Sequence, residues 1–166
     1  AEDAPPVYFG FGSMPYSDRE TLLLQVIAAA RRARKRLVMS WGREEKAAKD
    51  CYLVGPVDHG LLFPQTAMVV HHGGAGTTTA AARAGVPQIL VPHILDQFYW
   101  ARRIQDLGLG PSPVDRRRLR EAELAGCIRT VADDPRFVRR AQRAADRMAE
   151  SAVLQPALQI SEALFC

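Results

Sequence analysis

The sequence predicts an α/β fold: a Rossmann-like, doubly wound parallel sheet with helices on both faces. Short apolar runs alternate with helical patterns along the chain, which is the rhythm of βαβ units. Residues 67–70 form an uninterrupted apolar run, as expected for a strand that is covered on both faces. A glycine-rich stretch separates this run from the next helical pattern, as a strand-to-helix loop would. The 166 residues suffice for one well-packed domain.

The first part of the chain predicts three strands and one long helix. The strands are short runs rich in β-branched, aromatic and other apolar residues: 7–10, 37–40 and 51–54. A helix is predicted from Ser17 or Asp18, because apolar residues recur on one of its faces. These residues are Leu22, Leu23, Val26, Ile27 and Ala30. The polar residues 43–50 predict a loop or short helix, and residues 61–63 begin a short helix that Pro64 borders.

The middle of the chain predicts two buried strands with a helix between them. The strands are residues 67–70 and 88–91, and the helix spans residues 77–84. Gly85 is expected to end this helix in the left-handed conformation, with Pro87 two residues further on.

The last part of the chain is predicted to be mostly helical. Asp96 is expected to be the N-cap of a helix that ends at Gly108. From about Arg116 to the end, helical patterns dominate. Asp134 and Pro135 supply a cap and a first-turn residue for the last of them.

Bulk features favour a single domain, residues 1–166, in a reducing, cytoplasmic setting. Residues 1–6, AEDAPP, resemble the tail of a linker, so we expect one domain of a larger protein. No apolar run reaches the ~18 residues that a transmembrane helix needs, and no signal peptide is expected. The three cysteines are too few and too scattered for a disulfide framework or a zinc site.

The net charge of +4 raises the question of a nucleic-acid partner. The sharpest basic run is RRARKR at residues 31–36, which leaves a phosphate-rich partner as an alternative. The other basic residues lie in helical patterns that alternate with Asp and Glu, as on a solvated helix surface. No nucleic-acid partner is expected, because no nucleic-acid-binding motif accompanies the charge.

The stretch HHGGAGTTT, residues 71–79, predicts an anion site at the end of a strand. Its glycines allow a tight turn and close approach of a ligand, and the N–H groups of the following helix favour phosphate. A P-loop is excluded because Gly76 precedes Thr77 where a Lys is needed, and a GxGxxG fingerprint fails at Thr79. The alternative is a loop that only turns the chain. Ser13, in the loop after the first strand, would form the other wall of a phosphate site.

The two histidines of this stretch are given different interpretations. His71 follows a buried run and is expected to be a packed or hydrogen-bonded structural residue, whereas His72 is the functional candidate. Zinc binding through both is disfavoured, because no Cys or carboxylate partner has suitable spacing.

Three blocks of sequence carry a family resemblance: VDHGLLFP, HHGGAGTTTAAARAGVPQILVP and DQFYWARR. Together they resemble the nucleotide-sugar-binding half of family 1 glycosyltransferases, in the branch of the sterol glucosyltransferases and the macrolide or glycopeptide antibiotic enzymes. VYFGFGS fits the first strand and loop of that half, and the resemblance runs from about Val7 to the end.

The resemblance implies the C-terminal half of a two-domain GT-B enzyme. Such enzymes are inverting and metal-independent, with a UDP- or TDP-sugar as donor substrate and no cofactor. The acceptor, a lipophilic or natural-product hydroxyl compound, and the catalytic histidine would belong to an N-terminal domain absent from these residues. The sequence therefore offers no catalytic residue of its own, and we expect this domain alone to bind its donor without transferring the sugar.

The resemblance also implies roles for individual residues. The diphosphate would be held by Ser13, His72, Gly74, Ala75, Gly76, Thr77 and Thr78. The base would lie near Trp41, the main chain at Val57, and His59, and the donor sugar would bind Asp96 and Gln97.

Several alternatives stay open at the level of sequence. The family's plant members carry a tryptophan near Pro56 and a glutamate near Ala80, and neither is present here, so the choice between UDP and TDP is open. Trp41 could instead be a core or domain-interface aromatic, and Asp96 only a helix cap. The aromatic cluster at residues 98–100 is expected to pack. The alternative functions are a nucleotide-sugar epimerase-like domain and a non-catalytic nucleotide-binding module.

Overall fold

The computed structural model describes the backbone of residues 4–12, 19–42 and 45–165, and their side chains except at positions 46, 118 and 152–165. The described residues form a six-stranded sheet and six α-helices. The strands are β1 Val7–Gly10, β2 Leu37–Ser40, β3 Glu45–Ala48, β4 Cys51–Val54, β5 Met68–His71 and β6 Gln88–Leu90. The helices are α1 Arg19–Arg32, α2 His59–Leu62, α3 Ala75–Arg83, α4 Asp96–Asp106, α5 Glu121–Asp133 and α6 Pro135–Phe165. Two 3₁₀ turns, Phe63–Gln65 and Arg116–Arg118, complete the set.

The sheet is doubly wound, as the sequence predicts. Its strand order is β3-β4-β2-β1-β5-β6, and every neighbouring pair is parallel except β3 with β4. The chain therefore builds outward from β1 to one side, then returns to build β5 and β6 on the other. The direction of winding reverses between β1 and β5, and ligands of open α/β sheets bind outside the strand ends at such a point.

Both faces of the sheet are covered, because successive side chains of each strand point to opposite sides. Val7 and Phe9 of β1 join the larger core, on the side where α1 packs against α5. Tyr8 points the other way and joins Val69 and Phe63 in a second core cluster. Helices on both faces are thus confirmed.

One predicted element is wrong. Residues 45–48, within the polar stretch expected to be a loop or short helix, form β3, which pairs antiparallel with β4 at the edge of the sheet. An edge strand needs no apolar face to be stabilised, since its backbone pairs with a neighbour on one side. Polar composition therefore hid this strand from a search for apolar runs.

Element ends differ from the predictions by one or two residues. β5 begins and ends one residue later than expected, and α3 begins at Ala75 rather than at Thr77, because Gly74 is its N-cap. Gly85 adopts the predicted left-handed conformation after α3, with φ of 68°. Before α6, the Asp134 carboxylate accepts a hydrogen bond from the Arg136 N–H at 2.9 Å, as a helix cap does.

Candidate functional site

Three loops meet at the carboxyl edge of the sheet, beside the point where the winding reverses. Gly10 of β1 pairs in register with His71 of β5, so the loops that follow these two strands leave the sheet together. A Cβ added at Gly12 would lie 3.3 Å from the His72 ring. The loop after β6 joins them, since the rings of Phe11 and His93 lie 5.0 Å apart.

The glycine loop places the start of α3 at this edge. Gly73 has a φ of 92°, and a Cβ there would lie 3.1 Å from the backbone oxygen of Gln97. The first intrahelical bond of α3 runs from the Thr78 N–H to the Gly74 oxygen, 2.9 Å. The N–H groups of the three preceding residues, 75–77, have no acceptor within the helix. Together with the helix dipole they favour an anion at this end of the helix, and the predicted diphosphate contact stays a prediction.

The two threonines assigned to the diphosphate differ in their surroundings. Thr78 is buried, and its hydroxyl donates to the Gly74 carbonyl at 2.9 Å, one turn back. Thr77 is half-buried in the first turn of α3. The Thr77 side chain is therefore the more accessible of the two, whereas the Thr78 hydroxyl stabilises the turn itself.

His71 holds the glycine loop in place through hydrogen bonds, which is the structural role expected for it. Its ring is fully buried, its Nδ1 accepts from the Gly73 N–H at 3.1 Å, and its Nε2 therefore donates to Gln88 Oε1 at 2.8 Å. The Gln88 amide in turn donates to the Thr78 carbonyl at 3.2 Å. Burial lowers the pKa of His71 to about 4, so the ring is neutral near pH 7. This buried chain fixes the glycine loop and the start of α3.

His72 faces the site and is held between two glycines. A Cβ at Gly74 would lie 2.5 Å from His72 Nε2, so only glycine leaves room for the ring. Within the part of the chain that the structure describes, His72 Nδ1 is buried without a hydrogen-bond partner. Burial lowers the pKa of His72, while the Gly10 carbonyl and the Asp96 carboxylate oppose that change. The Nε2 side of the ring faces Gly74, the N-cap of α3, and is therefore the side of His72 that lies next to the helix N-terminus.

The loop after β6 brings Asp96 to the same edge. Leu95 adopts an unusual backbone conformation, with φ of 46° and ψ of −121°, and is itself the N-cap of α4. Asp96 is therefore the first helical residue, and its predicted N-cap role is wrong, because the chain turns one residue earlier. Its side chain is exposed and lacks the capping geometry expected for it.

Gln97 is buried, and its side-chain oxygen has a structural role. Gln97 Oε1 accepts from the backbone N–H groups of His93 at 2.7 Å and Ile94 at 3.1 Å. The amide thus holds the turn that presents Asp96. Its predicted contact with a donor sugar stays a prediction, and Asp96 is the more accessible of the two residues.

The three residues assigned to the base lie at the ends of β2 and β4. The Trp41 ring is partly buried against the core, with the Arg19 guanidinium 4.5 Å from its centroid. The His59 ring stacks on Phe63, with centroids 4.4 Å apart. Val57 is 37% exposed, which leaves it accessible to a ligand. The structure thus gives Trp41 and His59 packing partners, and their role toward a base stays a prediction.

Some features of the site lie outside the sequence-based predictions or the described residues. Ser13 falls in the stretch that the structure does not describe. Gln88 was not singled out, although a polar residue inside a buried strand signals a buried hydrogen-bond partner. His93 had no assigned role, yet it lies at the carboxyl end of β6. The expected packing of the aromatic cluster is confirmed for Trp100, which lies against a core cluster and meets the Tyr99 ring edge-on at 5.2 Å. Phe98 and Tyr99 are nevertheless 56% and 63% exposed.

Two features of the described residues concern metals and membranes. Among them, no group of three or more His, Cys, Asp or Glu side chains is arranged to hold a metal ion. None of the described helices is both long enough and apolar enough to cross a membrane.

Comparison with known families and proteins identifies close relatives. The family model for the erythromycin biosynthesis protein CIII-like C-terminal domain matches residues 44–164. The chain is 41% identical over 150 residues to the O-mycaminosyltylonolide 6-deoxyallosyltransferase of Streptomyces fradiae, covering 90% of this chain and 36% of that protein. It is 39% identical over 132 residues to a sterol 3-beta-glucosyltransferase of Arabidopsis thaliana, covering 76% of this chain and 22% of that one.

Solved structures agree on the fold. The crystal structure of UDP-glucose:anthocyanidin 3-O-glucosyltransferase in complex with UDP matches with a TM-score of 0.75 and 18% identity, over 88% of this chain and 36% of that chain. The chain spans about a third or less of the length of these relatives, 36% and 22% for the two curated ones.

Proposed function

We propose a function for this chain, which belongs to the erythromycin biosynthesis protein CIII-like C-terminal domain family of the GT-B, family 1 glycosyltransferases. In our proposal, it binds the UDP- or TDP-sugar donor of an inverting, metal-independent transferase. The acceptor is a lipophilic or natural-product hydroxyl compound, held with the catalytic base by an N-terminal domain. The relatives named above are transferases, which favours this class over an epimerase or a non-catalytic module.

One observation carries the proposal: the His72 ring lies against Gly74, the N-cap of α3, with Nε2 on the side of the first N–H groups of that helix. Both kinds of group are suited to the oxygens of a diphosphate. They lie at the edge where the winding reverses, as a nucleotide site does in this class of sheet. The UDP in the anthocyanidin enzyme's structure is a nucleotide of the kind proposed here.

The same groups would assist bond cleavage. When the acceptor oxygen attacks the anomeric carbon, the bond from that carbon to the diphosphate breaks and negative charge grows on the departing phosphate. Fixed N–H groups and the His72 ring would stabilise that charge without reorganising, which is the work a metal ion performs in other enzymes. Asp96, exposed at the start of α4, would accept hydrogen bonds from the sugar hydroxyls.

Calorimetric titration of the 166-residue chain tests this function. UDP or TDP should bind at least about tenfold more tightly than uridine or thymidine, because each charge-assisted hydrogen bond contributes about 1.5–3 kcal/mol. His72→Ala should weaken the binding of UDP and of UDP-glucose to the same extent. EDTA should leave the affinity for UDP unchanged. Equal affinities for nucleoside and nucleoside diphosphate would overturn the proposal, and a strict need for magnesium would overturn its metal-independent form.

Asp96→Ala tests the sugar contact separately from the nucleotide contact. It should weaken the binding of UDP-glucose while leaving the affinity for UDP unchanged, because the Asp96 carboxylate would meet hydroxyls that UDP lacks. Asp106→Ala is the matched control, since Asp106 is an exposed carboxylate at the other end of α4, paired with Arg102. Equal effects of the two variants on UDP-glucose would show that Asp96 does not contact the sugar.

A further inference from the structure

Tyr8 has a buried hydroxyl at the carboxyl end of β1. The residue is 2% exposed and lies on the face of the sheet opposite to the larger core. A Cβ added at Gly10 would lie 2.5 Å from the Tyr8 hydroxyl oxygen, so glycine at the end of the strand leaves the space that this hydroxyl occupies. Polar groups buried in this way are normally hydrogen-bonded. The partners of this hydroxyl link β1 to β2 and to α2.

Two side chains hydrogen-bond the Tyr8 hydroxyl. Burial raises the pKa of Tyr8, so the hydroxyl keeps its proton near pH 7, and a bond from Ser40 of β2 opposes that rise, as a donor to the phenolic oxygen does. The hydroxyl proton is then left for His59 Nε2, which lies 3.3 Å away at the start of α2. Burial lowers the pKa of His59, with Asp58 opposing, so the neutral ring can accept this proton.

Packing of three rings holds α2 against β1. The His59 ring stacks on Phe63, with centroids 4.4 Å apart and planes inclined by 13°. Tyr8 meets both rings edge-on, at 5.8 Å from His59 and 5.0 Å from Phe63. Ring contacts of this kind hold the distance between the rings, whereas a hydrogen bond also fixes the direction in which a ring nitrogen points. The Tyr8 hydroxyl therefore sets the orientation of the His59 ring.

His59 belongs to the turn that carries Val57. Asp58 is the N-cap of α2, and its carboxylate accepts from the Gly60 N–H at 2.7 Å. This bond ties the residues on both sides of His59 into one unit. Val57, immediately before the cap, is 37% exposed. The accessible main chain at Val57 is thus connected to β1 through the His59 side chain.

We propose that Tyr8 is a positioning residue of the nucleotide site: its hydroxyl holds His59, and through it the turn at Val57, in the conformation that meets the base. Tyr8 acts through His59, because its own buried side chain is not accessible to a nucleotide. This role rests on the proposed function, in which the base lies near Val57. Its effect should be confined to the base, because the diphosphate is assigned to α3, which His71 and Gln88 support.

Tyr8→Phe tests this role, because it keeps the ring and its packing and removes only the hydroxyl. Calorimetric titration compares three probes: UDP, uridine and inorganic pyrophosphate. UDP and uridine should each bind about threefold to tenfold more weakly, as the loss of one hydrogen bond implies. The affinity for pyrophosphate should not change, since that probe has no base.

A double-mutant cycle shows whether Tyr8 acts through His59. In a His59→Ala background, Tyr8→Phe should cause no further loss of UDP affinity, because the partner of the hydroxyl is already absent. Tyr52→Phe is the matched control: Tyr52 lies in β4 and is 46% exposed, so the loss of its hydroxyl should change none of the three affinities.

Three results would overturn the role of Tyr8 alone. They are unchanged affinities of Tyr8→Phe for UDP and uridine, an equal loss of pyrophosphate affinity, and a loss that adds to that of His59→Ala. Each presupposes that the unmodified chain binds UDP. If the unmodified chain binds neither UDP nor uridine, the proposed function fails, and the role of Tyr8 fails with it.

Discussion

Acidification from pH 7 to pH 5 is expected to weaken the fold through His71. In the native state, complete burial lowers the pKa of this ring from 6.5 to about 4. In the unfolded chain the ring has its ordinary pKa and takes up a proton first. As the pH falls from 6.5 towards 4, the unfolded state therefore binds more protons and the free energy of unfolding decreases.

The size of this effect follows from the two pKa values. Full titration across the interval would lower the free energy of unfolding by about 3 kcal/mol, and the change from pH 7 to pH 5 amounts to about 2 kcal/mol. That is a large fraction of the stability of an ordinary domain, about 5–15 kcal/mol. Burial lowers the pKa of His59, His72 and His93 as well, so they add to the loss with the same sign.

Urea unfolding at the two pH values, with and without His71, isolates its share. His71→Asn keeps an amide near Gln88 but cannot titrate, so the loss between pH 7 and pH 5 should shrink by about 2 kcal/mol. His59→Asn is the control, because that ring is only partly buried and should account for less of the loss. If His71→Asn shows the same loss as the unmodified chain, His71 is not neutral and buried in the way described.

Three substitutions test the backbone, two of them at the site and one in α5. Gly74→Ala should weaken the binding of UDP about tenfold or more, because the new Cβ would lie 2.5 Å from His72 Nε2 and displace the ring. Calorimetry measures this affinity, and an unchanged affinity would argue against a role for His72. Gly126→Ala in α5 meets no atom within 4 Å and should raise the free energy of unfolding by about 0.5–1 kcal/mol in urea titrations. Leu95→Gly should also raise the free energy of unfolding, by about 1 kcal/mol, because the strained φ of 46° suits glycine and the lost side chain is 84% exposed. A lower melting temperature would show that Leu95 is not strained.

Strand positions were predictable where the apolar pattern is local. β1, β2 and β4 have the predicted bounds, because each is a short run of apolar side chains closed by turn residues. β3 was not predicted, because its pairing with β4, and not its own side chains, makes it a strand. The order of the strands is equally non-local, so the sequence placed the glycine loop at a strand end without showing that β1 lies beside it.

The sequence predicted the positions of the site's main features but not the contacts that support them. The glycine loop at the start of a helix and the contrast between His71 and His72 follow from residue types and their order along the chain. The packing of the His72 ring against Gly74 does not, because it depends on a ring orientation fixed in three dimensions. The exposure of Phe98 and Tyr99 was also not predicted, since a run of aromatic residues indicates packing unless the neighbouring surface is known.

Most polar side chains at this edge of the sheet are engaged in holding loops. His71 and Gln88 fix the glycine loop, and Gln97 fixes the turn after β6 through its bonds to two backbone N–H groups. A group already satisfied by the protein gains little from a ligand, whereas a buried group without a partner gains a full hydrogen bond. The type of residue at a site therefore says less about binding than the state of its hydrogen bonds. By that criterion, the first N–H groups of α3, beside the His72 ring, are where a nucleotide's phosphates would gain most.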